Sequence, residues 1–295
     1  MFRERSFPTV RVPWLYAHFQ TCNSGLSGIH DKLQFSNVVR TGEKLKNNWD
    51  LSEIRFLDFN SLRFPVINFQ ILLEYLRETE HGTAFHLVNA GTIASASQDP
   101  KLLRILQEEF LICDGKPLSA LLRLQEKSFS NFRGPDLMRR ITTHGQYHGG
   151  HFFLGSTDEN LSMLIQNIRE SNPNLHVSGS HAPEFSAFSE ELVDKWVDLI
   201  EVSGAKIVWV GLGTPKQDFV VSQIAKKLPV KVFAVGAAFD FIAGNKREAP
   251  IIVRKLYLEW LYRFLLEPKR LLARYTIGNL IFFSWTMKYL KNLKR

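Results

Sequence analysis

Asp114 ends a short apolar run, Phe110-Leu-Ile-Cys113, and is followed by Gly115, Lys116 and Pro117. A carboxylate at a strand end beside a glycine can act as general base toward a bound hydroxyl, an effect worth about 10² to 10⁴ in rate. The spacing suits a second use equally: Pro117 opens a helix three residues later, and an aspartate there can cap it. Another run, Lys206-Ile-Val-Trp-Val210, leads into Gly211-Leu-Gly-Thr-Pro-Lys-Gln-Asp218. Gly211 and Gly213 let backbone N–H groups approach an anion. Pro215 suits the first helical position, and Lys216 and Gln217 in the first turn can then reach a phosphate. The octapeptide is neither a Walker phosphate loop nor a dinucleotide fingerprint, in which position 216 would be glycine. An ordinary strand-to-helix turn with a surface lysine therefore stays open beside the phosphate site. Arg133-Gly-Pro-Asp136 starts a further helix, with Asp136 placed to cap it and Arg133 to meet an anion. Arg270 and Arg274, four apart, share a helix face, and Arg263 lies just across Pro268. Three arginines converging on a cleft suit a diphosphate, whose oxygens the planar guanidinium binds in pairs; a basic outer helix face has the same spacing.

These residues need a frame to bring them together. From about residue 52 the chain alternates short β-rich runs (84–88, 110–113, 151–154, 175–177, 206–210, 230–235) with amphipathic helical stretches (68–79, 92–108, 117–126, 136–144, 158–171, 188–203, 215–228). That order predicts a Rossmann-like α/β domain over residues 56–245, a mostly parallel sheet covered by helices. Ligands of such sheets gather outside the carboxyl ends of the strands. Asn89 and Thr92, Asp114 and Gly115, Gly155, and the 211–218 stretch all follow strand ends, so one cleft can collect them. Residues 1–55 lack sustained periodicity and read as an irregular accessory region. Residues 246–295 read as a helical appendage with a boundary at Pro268, since proline can open a helix but breaks the interior of one.

With 295 residues, 45% of them apolar and 22% charged, the composition is that of a soluble globular protein. Two cysteines, Cys22 and Cys113, form no Cys-x-x-Cys pair and fit a reducing cytoplasm. The first ten residues carry charges and a proline where a signal peptide needs an apolar core, and no run of 18 apolar residues occurs. His144, His148 and His151 lack the carboxylate spacing of a metal site, so none is expected. The net charge of +8 is localised: residues 246–295 hold 12 Lys or Arg against 3 Glu, leaving 25 basic and 26 acidic groups elsewhere. Tyr257, Trp260, Tyr262, Phe264, Phe282, Phe283 and Trp285 lie in the same block. Basic helices with interleaved aromatics suit an anionic membrane surface, each cation contributing about 1 kcal/mol there; nucleic acid and plain solvation are the weaker alternatives.

Taken in order, Val88-Asn-Ala-Gly-Thr92, Cys113-Asp-Gly115, Arg133-Gly-Pro-Asp-Leu-Met138, the 211–218 stretch, Val235-Gly-Ala-Ala-Phe-Asp240, Arg247-Glu-Ala-Pro250 and Leu258-Glu-Trp-Leu-Tyr-Arg263 through Glu267-Pro-Lys-Arg270 resemble the WecG/TagA/CpsF family of bacterial glycosyltransferases. The resemblance covers roughly residues 60 to 280. It implies transfer of a sugar from a UDP-sugar to a sugar on a polyprenyl diphosphate at the inner face of the cytoplasmic membrane, in cell-envelope or exopolysaccharide synthesis. It implies inverting chemistry without a metal or other cofactor, Asp114 as base, and oligomers in some members. Asn89, Thr92, Gly115, Arg133, Gly155, Gly211, Gly213, Lys216, Gln217, Asp240, Arg263, Arg270 and Arg274 are then the expected substrate contacts, with the three arginines set against a diphosphate. Two positions depart from the pattern: Asp218 stands where the family often has Glu, and Lys116-Pro117 where small or apolar residues are common. A noncatalytic membrane-bound partner of a synthase complex is the alternative, and a nicotinamide oxidoreductase is disfavoured by Lys216.

Overall fold

Strand β3 (Thr83–Val88) is buried at all of its positions, and a run that apolar needs helices on both sides of its sheet. The computed structural model describes residues 54–143, 149–184, 189–250, 252–253, 259–266 and 268–293, with backbone alone at 260, 263 and 269–275. Among the described residues six strands make the main sheet, in the order β4-β3-β8-β7-β5-β6, and their pairings are all parallel. They are β3, β4 (Phe110–Cys113), β5 (His151–Gly155), β6 (Val177–His181), β7 (Ile207–Gly211) and β8 (Lys231–Ala234). β3 leads outward to β4 and β5 leads outward to β6 in opposite directions, so the connections diverge over the centre of the sheet. A crevice at the carboxyl ends follows from that divergence.

Alternation along the strands sends two sets of side chains to opposite faces. On one face Ala84, Leu154, Val208, Val210, Val232 and Ala234 pack under α7 (Glu190–Ser203) and α8 (Lys216–Lys227). On the other, Phe110, Phe85, Phe233 and Trp209 adjoin from strand to strand at centroid distances of 5.0, 4.4 and 4.8 Å, the first pair tilted and the other two stacked, and Tyr75 of α1 (Phe69–Glu78) meets Phe85 edge-on. α2 (Ala90–Gln98) and α3 (Pro100–Glu108) follow β3, and α4 (Lys116–Leu122) follows β4. α5 (Gly134–Thr143), α6 (Asp158–Ser171) and the short α9 (Ala238–Ile242) complete the cover, before α10 (Glu259–Leu266) and the 26-residue α11 (Pro268–Leu293).

Three local features differ from the sequence reading. The stretch expected as one helix over 92–108 is two, because Asp99 both ends α2 and caps α3, its carboxylate accepting from the N–H groups of Lys101 and Leu102 ahead of Pro100. The strand placed at 175–177 runs over Val177–His181 instead, with Leu175 held in the preceding turn by Asn172. An antiparallel hairpin, β1 (Phe56–Phe59) with β2 (Leu62–Pro65), was not anticipated. Its two-residue connection carries no glycine; Asn60 takes the left-handed conformation, at φ 57°, that such turns require. α10 stops at Leu266 and α11 opens on Pro268, as the proline demands.

The hairpin and α2 make a seat for α11. Phe59 lies against Phe282, Trp285 and Tyr289, and Asn60 donates to the Trp285 carbonyl at 2.9 Å. The Tyr289 hydroxyl donates to the Leu121 carbonyl at 2.9 Å and accepts from Gln125. Gly278 crosses α2 at Ala94, where a Cβ on the glycine would stand 3.6 Å from that of the alanine. Small residues on both helices thus bring α11 close to the sheet's carboxyl edge.

Candidate active site

Between the strand ends and α11 lies a cleft of about 1450 Å³. That exceeds the roughly 300–1,000 Å³ of ordinary small-molecule sites and leaves space for two substrates. Its floor holds Asn89, Thr92, Asp114, Gly115, Gly211, Gly213, Gln217 and Asp240, with Arg133 at one side.

Asp114 follows β4, its N–H donating to the Val88 carbonyl at 2.8 Å. The cap position of α4 belongs to Gly115, at φ 94° and without a side-chain cap bond. Asp114 stands one residue before that cap position, and its carboxylate lines the cleft beside Asn89, whose Nδ2 donates to Oδ2 at 3.4 Å. Asn89 also accepts at Oδ1 from the N–H groups of Gly91 and Thr92, while Thr92 Oγ1 accepts from the Asn89 N–H. This capping box fixes the Asn89 amide, and so the edge it offers to Asp114.

The Gly211–Asp218 stretch folds back on itself. Gln217 is almost fully buried; its Oε1 accepts from the Gly213 N–H at 3.1 Å, and its N–H donates to the Gly213 carbonyl at 2.9 Å. Gly155 and Gly211 lie side by side at the ends of β5 and β7, and a Cβ on Gly155 would stand 2.7 Å from the Gly211 carbonyl oxygen. Gly155 is needed for that approach and is not among the cleft-lining residues. Lys216 is not among them either; its Nζ lies 5.8 Å from the Trp196 ring centroid, toward α7.

Arg133, at the side of the cleft, is engaged by three carboxylates: Glu248 at 2.5 Å, Glu259 at 3.1 Å and Asp136 at 3.3 Å. Burial opposes the guanidinium charge, yet the three carboxylates raise its pKa above the ordinary value. Asp136, expected as a cap, sits inside the first turn of α5 and pairs with Arg133 and Arg139. Asp240 accepts from Asn160 Nδ2 at 3.0 Å and pairs with Lys246 at 2.6 Å, while Asn245 donates to Asn160 at 2.7 Å. Lys116, Arg140, Lys246 and Arg247 add cations to the cleft wall. Among the described residues no three His, Cys, Asp or Glu converge as metal ligands. The side chains of Arg263, Arg270 and Arg274 lie outside the described residues, as do His144 and His148; His151 is a core residue accepting from Trp209.

Sequence reasoning missed the opposite wall, Gly278, Asn279, Phe282, Phe283 and Thr286 of α11. Their i, i+4 spacing marks a helix face but does not say what it faces. Residues 57–295 match the family model described as "Glycosyl transferase WecG/TagA/CpsF family".

Proposed function

Because the chain belongs to the WecG/TagA/CpsF family of glycosyltransferases of cell-envelope polymer synthesis, we propose that it moves a sugar from a UDP-sugar to a sugar carried on a polyprenyl diphosphate. The observation that carries this reading is Asp114, a carboxylate at a strand end that accepts from Asn89 on the floor of a large cleft. Asp114 takes the proton of the acceptor hydroxyl as its oxygen forms a bond to the anomeric carbon. The bond from that carbon to the UDP oxygen breaks on the opposite face, and UDP leaves with the electron pair, inverting the centre. Gly211, Gly213 and Gln217 shape the nucleotide-sugar subsite. Asp240, Thr92 and Gly115 meet sugar hydroxyls, and Lys116, Arg140, Lys246 and Arg247 offset diphosphate charge where many glycosyltransferases use a metal. Arg263, Arg270 and Arg274 serve the second diphosphate. Arg133 holds the cleft wall together through its three carboxylates.

The site works at the inner face of the cytoplasmic membrane, with α11 toward the lipid. Ile277, Leu280, Phe283 and Met287 are exposed at 56, 67, 62 and 52% and recur at helical spacing beside Lys288 and Lys291. No described helix is long and apolar enough to cross a membrane. The test is UDP release from a panel of UDP-sugars with and without a short-chain polyprenyl diphosphate sugar, in EDTA. Acceptor-dependent release that survives EDTA supports the reading; neither release nor UDP binding across the panel removes it in favour of a noncatalytic partner.

A further inference from the structure

His86, in the middle of β3, has no exposed surface and does not line the cleft. Its Nδ1 is 2.9 Å from Asp218 Oδ1 and its Nε2 is 2.8 Å from Glu109 Oε2. Ionised carboxylates only accept, so both ring nitrogens donate and the ring is an imidazolium. Around it, Ser222 donates to Glu109 and Lys226 stands 3.6 Å from the same carboxylate, so two cations face two anions. Burial by itself would depress the pKa of the ring, but the hydrogen bonds and charges of Asp218 and Glu109 outweigh it and raise the value to about 9.

A buried ionic cluster is poor evidence for stability, because well-packed apolar residues would serve as well or better. What this one specifies is the direction of the first turn of α8. Asp218 is the neighbour of Gln217, and its N–H donates to the Pro215 carbonyl at 3.0 Å. A carboxylate drawn inward at 218 fixes the rotation that turns Gln217 toward Gly213 and keeps the 211–217 backbone in its fold. On the other side, His86 shares β3 with Val88, whose carbonyl holds the Asp114 N–H, and Asn89 follows directly. The imidazolium therefore ties the strand that frames Asp114 to the helix that frames the glycine loop.

We propose that His86 is a positioning residue for the nucleotide-sugar subsite: through Asp218 it sets the first turn of α8, and with it the place of Gly211–Gln217 relative to Asp114. This rests on the reading of that loop as the donor subsite. The experiment uses full-length protein and compares donor KM, acceptor KM and kcat for wild type, His86→Gln, Asp218→Asn and Gln217→Ala, alongside imidazole ¹⁵N NMR of the wild type. His86→Gln is expected to raise donor KM by about tenfold while kcat and acceptor KM change by less than about threefold, a loss confined to donor binding. Asp218→Asn, which keeps the shape of the contact, is expected to move donor KM the same way by a smaller factor. Both ring nitrogens should carry protons at pH 7.5. A ring with one proton at that pH overturns the proposal, even if no His86 variant folds. So does an unchanged donor KM in folded His86→Gln or Asp218→Asn protein with a lowered Tm, because that is a purely structural role. Should Gln217→Ala leave UDP-sugar binding untouched, the donor reading of the loop falls instead, and the NMR result still judges the imidazolium separately.

Discussion

Asp114 and Asn89 meet although 25 positions separate them, because parallel neighbours β3 and β4 end at the same level. Replacing Asp114 by Asn keeps the size of the side chain and removes the base. Transfer is expected to fall by about 10² to 10⁴ while UDP still binds, which kinetics and calorimetry on the same sample would separate. His86 gives a second expectation, in stability. Its folded pKa, about 9, lies above the ordinary 6.5, so its contribution is whole below about pH 6.5 and disappears as pH rises through 9. Lys231, buried and held down to about 8, acts in the opposite sense at higher pH. The His86 share should therefore be read as the difference between Tm profiles of wild type and His86→Gln, a difference that shrinks between pH 6.5 and 9. The departure at Asp218 also acquires a meaning at this scale: the side chain at that position reaches inward to a buried ring rather than outward to ligand.

Among the elements, those with the plainest local signals were legible from the sequence. β4 and α6 fall where expected, over Phe110–Cys113 and Asp158–Ser171, because a compact apolar run and a Thr157 cap beside acidic first-turn residues are local signals. The hairpin escaped because its turn relies on Asn60 instead of a glycine, and the α2–α3 break because Asp99 serves two helices at once. Arg133 shows how a residue chosen for its charge can answer to partners from distant elements: Glu248 and Glu259 lie more than a hundred positions away. Arg133→Ala removes the more buried cation from that carboxylate group, leaving the half-exposed Arg139 on Asp136 and Glu248, and is expected to cost about 2–4 kcal/mol, the lower part of the range reflecting partly exposed partners. Chemical denaturation would measure it, and Arg133→Lys should recover only part, since an ammonium cannot span the fork. At the helix crossing, Gly278→Leu is expected to prise α11 from Ala94, lowering Tm and speeding protease cleavage within α11 while leaving the sheet intact.

For the whole molecule, the positive charge concentrated after residue 245 and the apolar stripe of α11 set an expectation about surfaces. Vesicles containing anionic lipid should sediment the protein, neutral vesicles should not, and added salt should release it; Leu280→Ser with Met287→Ser should weaken the attachment without lowering Tm. The strand ends made half of the cleft readable, since Asn89, Asp114, Gln217 and Asp240 each follow or sit near one, whereas the α11 wall depends on how a distant helix docks. That docking bears on synthesis. Asn60 and Trp285 are 225 residues apart, and Phe59 is covered by the same late helix. A nascent chain can lay down its hairpin and most of its sheet while the ribosome is still translating. Phe59 and the alanine-rich flank of α2 then stay bare until α11 has left the ribosome, so a released chain cut short before residue 268 would present a half-walled cleft and an open apolar seat for chaperones.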